Sequence, residues 1–130
     1  MILLCDEDVG LGVPKALKLV GCNAMSLRGL HMGGQPDTEW LTKAGQNNWL
    51  VFSCNKKQLK VPIERDTIIR EKVGIVFLIS GSEYSRKVLR MLLGKWDVLE
   101  LLWNTTDRPF ARFLSLTGHL ASKYKDYYLK

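Results

Sequence analysis

Short apolar runs alternate along this chain with longer segments whose apolar residues recur at helical spacing. Short apolar runs bounded by turn residues are typical of strands buried on both faces, which occur in parallel sheets. Strands that alternate with helices indicate βαβ units, so we predict an α/β fold with helices on both sides of a mostly parallel sheet. Neither a long linker nor a repeat interrupts the pattern. The 130 residues are therefore expected to form one domain, residues 1–130.

Local signals give the limits of the elements. Pro14 suits a first helical turn and Gly21 is a typical helix stop. Asp37 is expected to cap the second helix, and Gly74 to separate the third helix from the next strand. The predicted strands are 2–5, 23–27, 49–53, 75–79 and an edge strand at 110–116. The predicted helices are 13–20, 38–47, 62–70 and 82–102. The last of them carries Tyr84, Val88, Leu92 and Trp96 at helical spacing and is expected to be bent or interrupted near Gly94. Residues 120–128 are expected to form a hairpin arm or a basic tail.

Charge and cysteine content narrow the classes of function. The formal net charge of +6 favours a polyanionic or acidic partner, either nucleic acid or an acidic protein. Cys5, Cys22 and Cys54 form no CxxC pair, which argues against a disulfide framework and against structural zinc, so buried thiols are expected. No apolar stretch approaches the roughly twenty residues that span a bilayer, and no basic secretory segment begins the chain. We expect a cytosolic protein without a membrane partner.

Acidic and amide side chains stand where the predicted elements begin or end. Asp6 follows the first strand and is itself followed by Glu7 and Asp8. Ligands of α/β sheets bind outside the carboxyl ends of the strands. Cleavage of a phosphodiester with Mg²⁺ needs hard oxygen ligands clustered around the ion. The joint layout predicts a metal-dependent phosphodiesterase site built from Asp6, Asp37, Asn55 and Glu64.

Each of these acids also has an ordinary explanation when it is taken alone. Asp37 is a residue type that commonly caps helices, and Glu64 favours the positive end of its helix. Glu7 and Asp8 suit a solvated loop. It is the joint layout of these side chains, rather than any single one, that favours a functional site.

The order and spacing of these segments resemble the PIN-like domain family. The chain is most similar to a small bacterial group whose strands end in Asp-Glu-Asn and in Thr-x-Asp-Lys/Arg-Lys/Arg. The resemblance covers nearly the whole chain and is carried by the order of the motifs rather than by one of them. Those motifs are Leu3-Leu4-Cys5-Asp6-Glu7-Asp8, Asp37-Thr38-Glu39-Trp40-Leu41, Trp49-Leu50-Val51-Phe52-Ser53-Cys54-Asn55-Lys56-Lys57 and Pro62-Ile63-Glu64-Arg65.

The resemblance implies a three-layer α/β/α fold and cleavage of RNA with Mg²⁺ or Mn²⁺. Many members of the family are the toxins of toxin–antitoxin pairs, which implies an antitoxin protein as a partner. By resemblance, Asp6 and Asp37 are metal ligands and Glu64 is a further candidate, while the third acid falls at the position of Asn55.

Asn55 is where the chain departs from the family. An amide keeps one acceptor oxygen but loses the charge, so it attracts a cation far less than a carboxylate does. Three explanations stay open from the sequence. They are a homologue that has lost or weakened cleavage, a site that holds one metal through Asp6, Asp37 and either Glu7 or Glu64, and a substitution engineered to silence a toxic nuclease.

Basic residues gather near the predicted site. If they line the same edge as Asp6, they would contact phosphates and give a salt-dependent affinity that is largely independent of sequence. The alternative is a solvated helix face. His31, in a glycine-rich loop, is expected to be incidental. The candidate RNA contacts are Lys56, Lys57 and Arg65, with Lys60 and Arg70 nearby and a second group at Arg86, Lys87 and Arg90.

Two functions follow from these observations. The first is a Mg²⁺-dependent endoribonuclease of the PIN-like type that acts as the toxin of a toxin–antitoxin pair. The rival is a non-catalytic PIN-like scaffold that binds RNA or a protein through the same basic edge. The apolar tail from Phe110 and the helix around Leu92 and Leu93 offer surfaces for a homodimer. A Rossmann-type site is disfavoured because the glycines between 29 and 34 do not form a GxGxxG turn.

Overall fold

The centre of the protein is a sheet of five parallel strands. In this computed structural model, which describes residues 1–121, every neighbouring pair of strands is parallel, in the order β2-β1-β3-β4-β5 along the sheet. This arrangement confirms the three-layer α/β/α fold. The strands are β1 (Leu3–Cys5), β2 (Ala24–Ser26), β3 (Leu50–Ser53), β4 (Gly74–Leu78) and β5 (Phe110–Leu114), and the helices are α1 (Gly12–Leu19), α2 (Asp37–Gln46), α3 (Pro62–Arg70) and α4 (Ser85–Thr105).

Helices cover both faces of the sheet. α1 packs beside α4 on one face, and α2 packs beside α3 on the other. Alternate residues of each strand divide between two apolar cores, so that Leu50 and Phe52 face α1 and α4 while Val51 faces α2 and α3. Because neither face meets water, the central strands are apolar except for Ser53 at the end of β3. This explains why continuous apolar runs marked the strands in the sequence.

The direction of winding reverses between β1 and β3. The chain leaves β1 for β2 on one side and later returns to β3 on the other side. The crevice outside the carboxyl ends of β1 and β3 is therefore the switch point, where α/β sheets bind ligands. The Asp6 N–H donates to the Phe52 carbonyl at 2.9 Å and holds the two strand ends together. A 3₁₀ turn, Glu7–Val9, follows β1, and a second, Lys56–Lys60, follows β3.

Two glycines behave differently from the prediction. Gly74 does not separate α3 from the next strand but is the first residue of β4, where the absent side chain leaves room for Phe110. Gly94 does not bend α4, which runs through it without interruption. Gly94 is exposed, and the burial of Leu92 and Trp96 beside it outweighs the cost of about 1 kcal/mol for a glycine in a helix.

Tyr84 also departs from the predicted pattern. It precedes α4 instead of lying within it, and its side chain is 71% exposed, whereas Val88, Leu92 and Trp96 are buried. β5 ends at Leu114, and Leu120 returns to form a single antiparallel bridge with that residue. The rest of the predicted arm, residues 122–128, lies outside the described residues.

The cysteines are free, as expected. Cys5 and Cys54 are buried, and Cys22 is half-buried. No helix within residues 1–121 is both long enough and apolar enough to cross a membrane.

Gly74→Ala is expected to lower the free energy of unfolding by roughly 1–3 kcal/mol, as overpacking of a core does. The added Cβ would lie 2.6 Å from Cε2 of Phe110 and 3.0 Å from the ring of Trp103. Urea unfolding measures the change. The matched control is Gly94→Ala, whose Cβ meets nothing within 4 Å; it should stabilise by about 0.5–1 kcal/mol through helix propensity. Equal effects of the two substitutions would contradict the close packing at Gly74.

Candidate functional site

Ser53 joins the ends of β1 and β3 through its buried hydroxyl. Its Oγ donates to Oδ2 of Asp6 at 2.9 Å and lies 3.5 Å from Oδ2 of Asp8. The same oxygen accepts from the Asn55 N–H at 3.0 Å. Oδ1 of Asp8 accepts from the Cys54 N–H at 3.1 Å. Both carboxylates of the turn after β1 are therefore held against the end of β3.

Asp37 belongs to the same region, but the predicted cap is wrong. Pro36, whose backbone is extended, occupies the cap position, so Asp37 is already inside the first turn of α2. Its side chain does not turn back to the helix amides. Oδ1 accepts from the indole Nε1 of Trp40 at 2.9 Å, and Oδ2 accepts from Nε2 of Gln58 at 3.1 Å.

Gln58 is fully buried although it lies among lysines in the turn after β3. While its Nε2 donates to Asp37, its Oε1 has no hydrogen-bond partner among the described residues. A buried amide oxygen without a partner costs free energy, about 1–3 kcal/mol. The amide therefore orients Asp37 and leaves an unused acceptor beside it.

Burial and mutual repulsion raise the pKa of several of these acids. Burial raises the pKa of Asp6 to about 6, with the charge of Asp8 as the next cause. Burial is also the main cause of the raised pKa of Asp8, to which the charge of Asp37 adds. The pKa of Glu64 rises to about 7 through burial, a hydrogen bond with Asp37 and the charges of Asp37 and Asp6. We call Asp6, Asp8, Asp37 and Glu64 the acidic cluster.

The thiol of Cys54 is not an alternative nucleophile at this edge. Burial, followed by the charges of Asp8 and Asp6, raises its pKa to about 12. A thiol with so high a pKa stays protonated at neutral pH, and the thiolate is the reactive form. The chemistry of the site therefore rests on its carboxyl groups.

The remaining acid and amide candidates lie at the rim. The Asn55 side chain is exposed, and no hydrogen bond among the described residues joins its amide to the acidic cluster. Oε1 of Glu7 accepts from the Gly34 N–H at 2.7 Å, so Glu7 ties down the glycine-rich loop. His31 lines an open cleft of about 350 Å³ together with Glu7 and Arg28.

The basic candidates occupy different settings. Nζ of Lys56 donates to the Ile79 carbonyl at 3.1 Å, which fixes this lysine across the carboxyl ends of β3 and β4. Lys57 is exposed in the same turn. Nη1 of Arg65 donates to the Leu59 carbonyl at 3.3 Å and so braces α3 against that turn.

Sequence reasoning missed Asp8, Ser53 and Gln58 as members of the site. Ser53 carried a signal, since it is the polar residue that ends an otherwise apolar strand. Asp8 carried a weaker one, two residues beyond Asp6 in an acidic block. Gln58 carried none, because a glutamine among Lys56, Lys57 and Lys60 is typical of a solvated turn.

The acidic cluster has the donor chemistry of a divalent-cation site. Its donors are carboxylate oxygens, the ligands that hard cations prefer, and none of the four carboxyls is ion-paired with a cation among residues 1–121. As the side chains stand, however, no group of three or more Asp, Glu, His or Cys residues in that range is arranged to hold a metal ion. The residues fit such an ion in kind and charge.

A protein-family model described as a PIN like domain matches residues 1–80. This protein belongs to the PIN-like domain family. The match contains β1 to β4 and all four members of the acidic cluster, and it ends before α4 and β5. No curated protein and no solved structure matches the chain. The PIN-like fold is of the nuclease type, and PIN domains generally use divalent metal ions.

The raised pKa values predict that this PIN-like protein loses stability as pH rises. The folded protein keeps protons on Asp6 up to about pH 6 and on Glu64 up to about pH 7, above the ordinary values of 3.8 and 4.5. The unfolded chain releases those protons at lower pH, so stability falls between about pH 4 and 7. In EDTA, Asp6→Asn should raise the melting temperature at pH 8 by roughly 3–8 °C.

Thermal unfolding of both proteins from pH 4 to 8 tests this expectation. The gain from Asp6→Asn should shrink as pH is lowered, because the parent carboxyl is then protonated and uncharged. Asp66→Asn is the control, since Asp66 is an exposed acid on α3. A gain of equal size at every pH would show that ionisation of the buried Asp6 carboxyl is not the cause.

Proposed function

We propose that this protein is a divalent-cation-dependent endoribonuclease. The observation that carries the proposal is the convergence of Asp6, Asp8, Asp37 and Glu64 at the switch point of the sheet. Carboxylates that repel one another there, and that form no ion pair with a basic side chain among the described residues, suit a bound divalent cation. Membership of a family that typically binds RNA supports RNA as the substrate.

Asp6 and Asp37 would hold Mg²⁺ or Mn²⁺. The bound cation would supply Lewis acidity and neutralise the charge of the phosphodiester. The protein's own contribution is to orient these ligands. Ser53 fixes Oδ2 of Asp6, while Trp40 and Gln58 each donate to one oxygen of Asp37. Each of these oxygens accepts one such bond, which leaves it a further lone pair.

Asp8 would supply the negative charge that Asn55 lacks. The bacterial group that the chain resembles carries Asn two residues after the first acid and Asp at the end of the third strand. Here these two side chains are exchanged, as Asp8 and Asn55. The carboxylate of Asp8 contacts the backbone of Cys54, the neighbour of Asn55, so the charge remains at the same edge. Such an exchange would explain Asn55 without loss of function.

Glu64 would act as a general acid or base during the reaction. Its pKa of about 7, raised by burial and by Asp37, allows it to hold or release a proton near neutral pH. A carboxyl group with this pKa suits proton transfer to the leaving oxygen of the RNA. Lys56, Lys57 and Arg65 would contact the RNA phosphates around the cluster.

Cleavage of a mixed RNA substrate with Mn²⁺ and with EDTA tests the proposal. We expect cleavage only with Mn²⁺, and a loss of about 100-fold or more for Asp6→Ala, because a ligand is worth at least as much as its outer-shell supports. Asp8→Asn should lose about tenfold or more. Glu39→Gln, which removes an exposed acid of α2, should cleave as the parent does.

The exchange of Asp8 and Asn55 has its own test. The double variant Asp8→Asn/Asn55→Asp should recover the cleavage that Asp8→Asn loses, because it returns the charge to the third strand. If Asp8→Asn cleaves as fast as the parent, Asp8 supplies no charge to the reaction. If neither the parent nor the double variant cuts RNA, the endoribonuclease proposal is wrong.

A second candidate is a PIN-like scaffold that binds RNA or a protein without cleaving RNA. The exposed amide of Asn55 favours it, as does the absence of a three-residue chelating group among residues 1–121. Millimolar Mn²⁺ separates the two candidates. A site that binds the ion should raise the melting temperature by several degrees, whereas the scaffold should shift by about one degree or less.

A toxin role belongs to the proposal and rests on family membership alone. It implies an antitoxin that covers the acidic cluster and the neighbouring Lys56, Lys57 and Arg65. The proposal keeps the cytosolic location that is expected from the sequence. Growth arrest on expression, relieved by Asp6→Ala, would support the toxin role. Normal growth of cells that contain an active nuclease would count against it.

A further inference from the structure

A groove of about 530 Å³ runs between α4 and the turn that follows β5. Among residues 1–121, its charged lining residues are Lys87, Arg90 and Lys95, and no acid in that range lines it. None of the three is ion-paired with another residue within 1–121. The aliphatic chain of Lys95 lies against Gly118, where a Cβ would collide with it. The described residues of the groove thus present a row of positive charges without an ion-pair partner among them.

Gly94 keeps the middle of the groove open. An added Cβ there would meet nothing within 4 Å, and Met91 forms the apolar floor beside it. From Lys87 to Lys95 the helix rises about 12 Å. That length suits a short stretch of extended polymer rather than a small metabolite.

An exposed aromatic ring stands at the end of the groove nearer the acidic cluster. Tyr84 is 71% exposed, and Nζ of Lys87 lies 5.4 Å from the centre of its ring. The next residue, Ser85, packs near Gly10, which closes the turn that carries Asp8. The groove therefore begins beside the acidic cluster and leads away from it along α4.

We propose that Tyr84 and the groove bind a single strand of RNA on its way to the acidic cluster. Single-stranded nucleic acids are held by cations that follow the phosphates and by aromatic rings on which bases stack. Tyr84 offers the ring, and Lys87, Arg90 and Lys95 offer the cations. An acidic protein segment would match the charges but leave the ring without a base to stack on. The proposal extends the proposed function, although its residues lie beyond the 1–80 family match.

Binding of a labelled oligouridine, followed by fluorescence anisotropy in EDTA, tests the groove without any cleavage. The full chain is titrated at several salt concentrations. Lys87→Gln/Arg90→Gln should weaken binding about tenfold or more at 0.1 M salt, with a salt dependence of log K shallower by about 1.4. The control Lys18→Gln/Lys43→Gln removes two exposed lysines at the far ends of α1 and α2, and should change the slope less.

Two pairs of single substitutions separate groove binding from general charge effects. Gly94→Glu places a carboxylate in the open middle of the groove and should weaken binding about fivefold or more, whereas Asn104→Glu, an equal charge change at an exposed site on the same helix, should change it less than twofold. Tyr84→Ala should lose about fivefold without changing the salt slope, and Tyr84→Phe should retain binding. Circular dichroism confirms that each variant is folded.

Equal binding by the groove variants and their controls would overturn the proposal, as would no binding of RNA by the parent protein. Loss of binding to polyglutamate, with RNA binding unchanged, would instead assign the groove to an acidic protein and also overturn it. If the groove variants lose RNA binding in EDTA and the parent protein does not cleave RNA with Mn²⁺, the groove proposal stands and the nuclease proposal is wrong. If the groove variants bind and cleave RNA as the parent protein does, the nuclease proposal stands and the groove proposal is wrong.

Discussion

The parallel pairing of β1 with β3 determines the location of everything else at the site. It brings the turn after β1 against the end of β3, where the Asp6 N–H reaches the Phe52 carbonyl and the Ser53 hydroxyl reaches Asp6. Without this pairing Asp6 and Asp8 would be ordinary acids in a loop. The apolar cores on either side hold the two strands in register. The polar contacts at their ends therefore depend on burial that takes place several residues away.

Ionisation of the acidic cluster destabilises the folded protein. Burial and repulsion raise the pKa of Asp6, Asp8 and Glu64, so part of the free energy of folding is used to hold like charges together. Such strain is typical of functional sites, where the structure holds an arrangement that a ligand then relieves. The formal net charge of +6 is that of the whole chain, so the basic residues outside the cluster more than outweigh its four acids.

Much of the fold could be predicted because its signals are local. Pro62 starts α3 and the helix ends at Arg70 as expected, since proline fixes the first turn wherever the rest of the chain goes. The cap at Asp37 was predicted one residue too late because Pro36, in an extended conformation, occupies the cap position without a side-chain hydrogen bond. Gly94 was wrongly expected to bend α4, since the burial of Leu92 and Trp96 depends on packing that the sequence does not show.

The candidate site could be predicted only in part, for the same reason. Asp6 stands at the end of a strand, which the sequence shows directly. Ser53 and Gln58 acquire their roles by meeting Asp6 and Asp37 from distant parts of the chain. Hydrogen bonds of this kind depend on side-chain orientation, which neither periodicity nor composition specifies.

The hydrogen bond from Trp40 to Asp37 links the fluorescence of this indole to the acidic cluster. The indole of Trp40 is buried, and its N–H donates directly to a carboxylate of the acidic cluster. The excited state of an indole is more polar than its ground state, so its emission responds to charge placed this close to the ring. Trp40 is thus an optical probe built into the protein, one that reports on the electrical state of the cluster without a label.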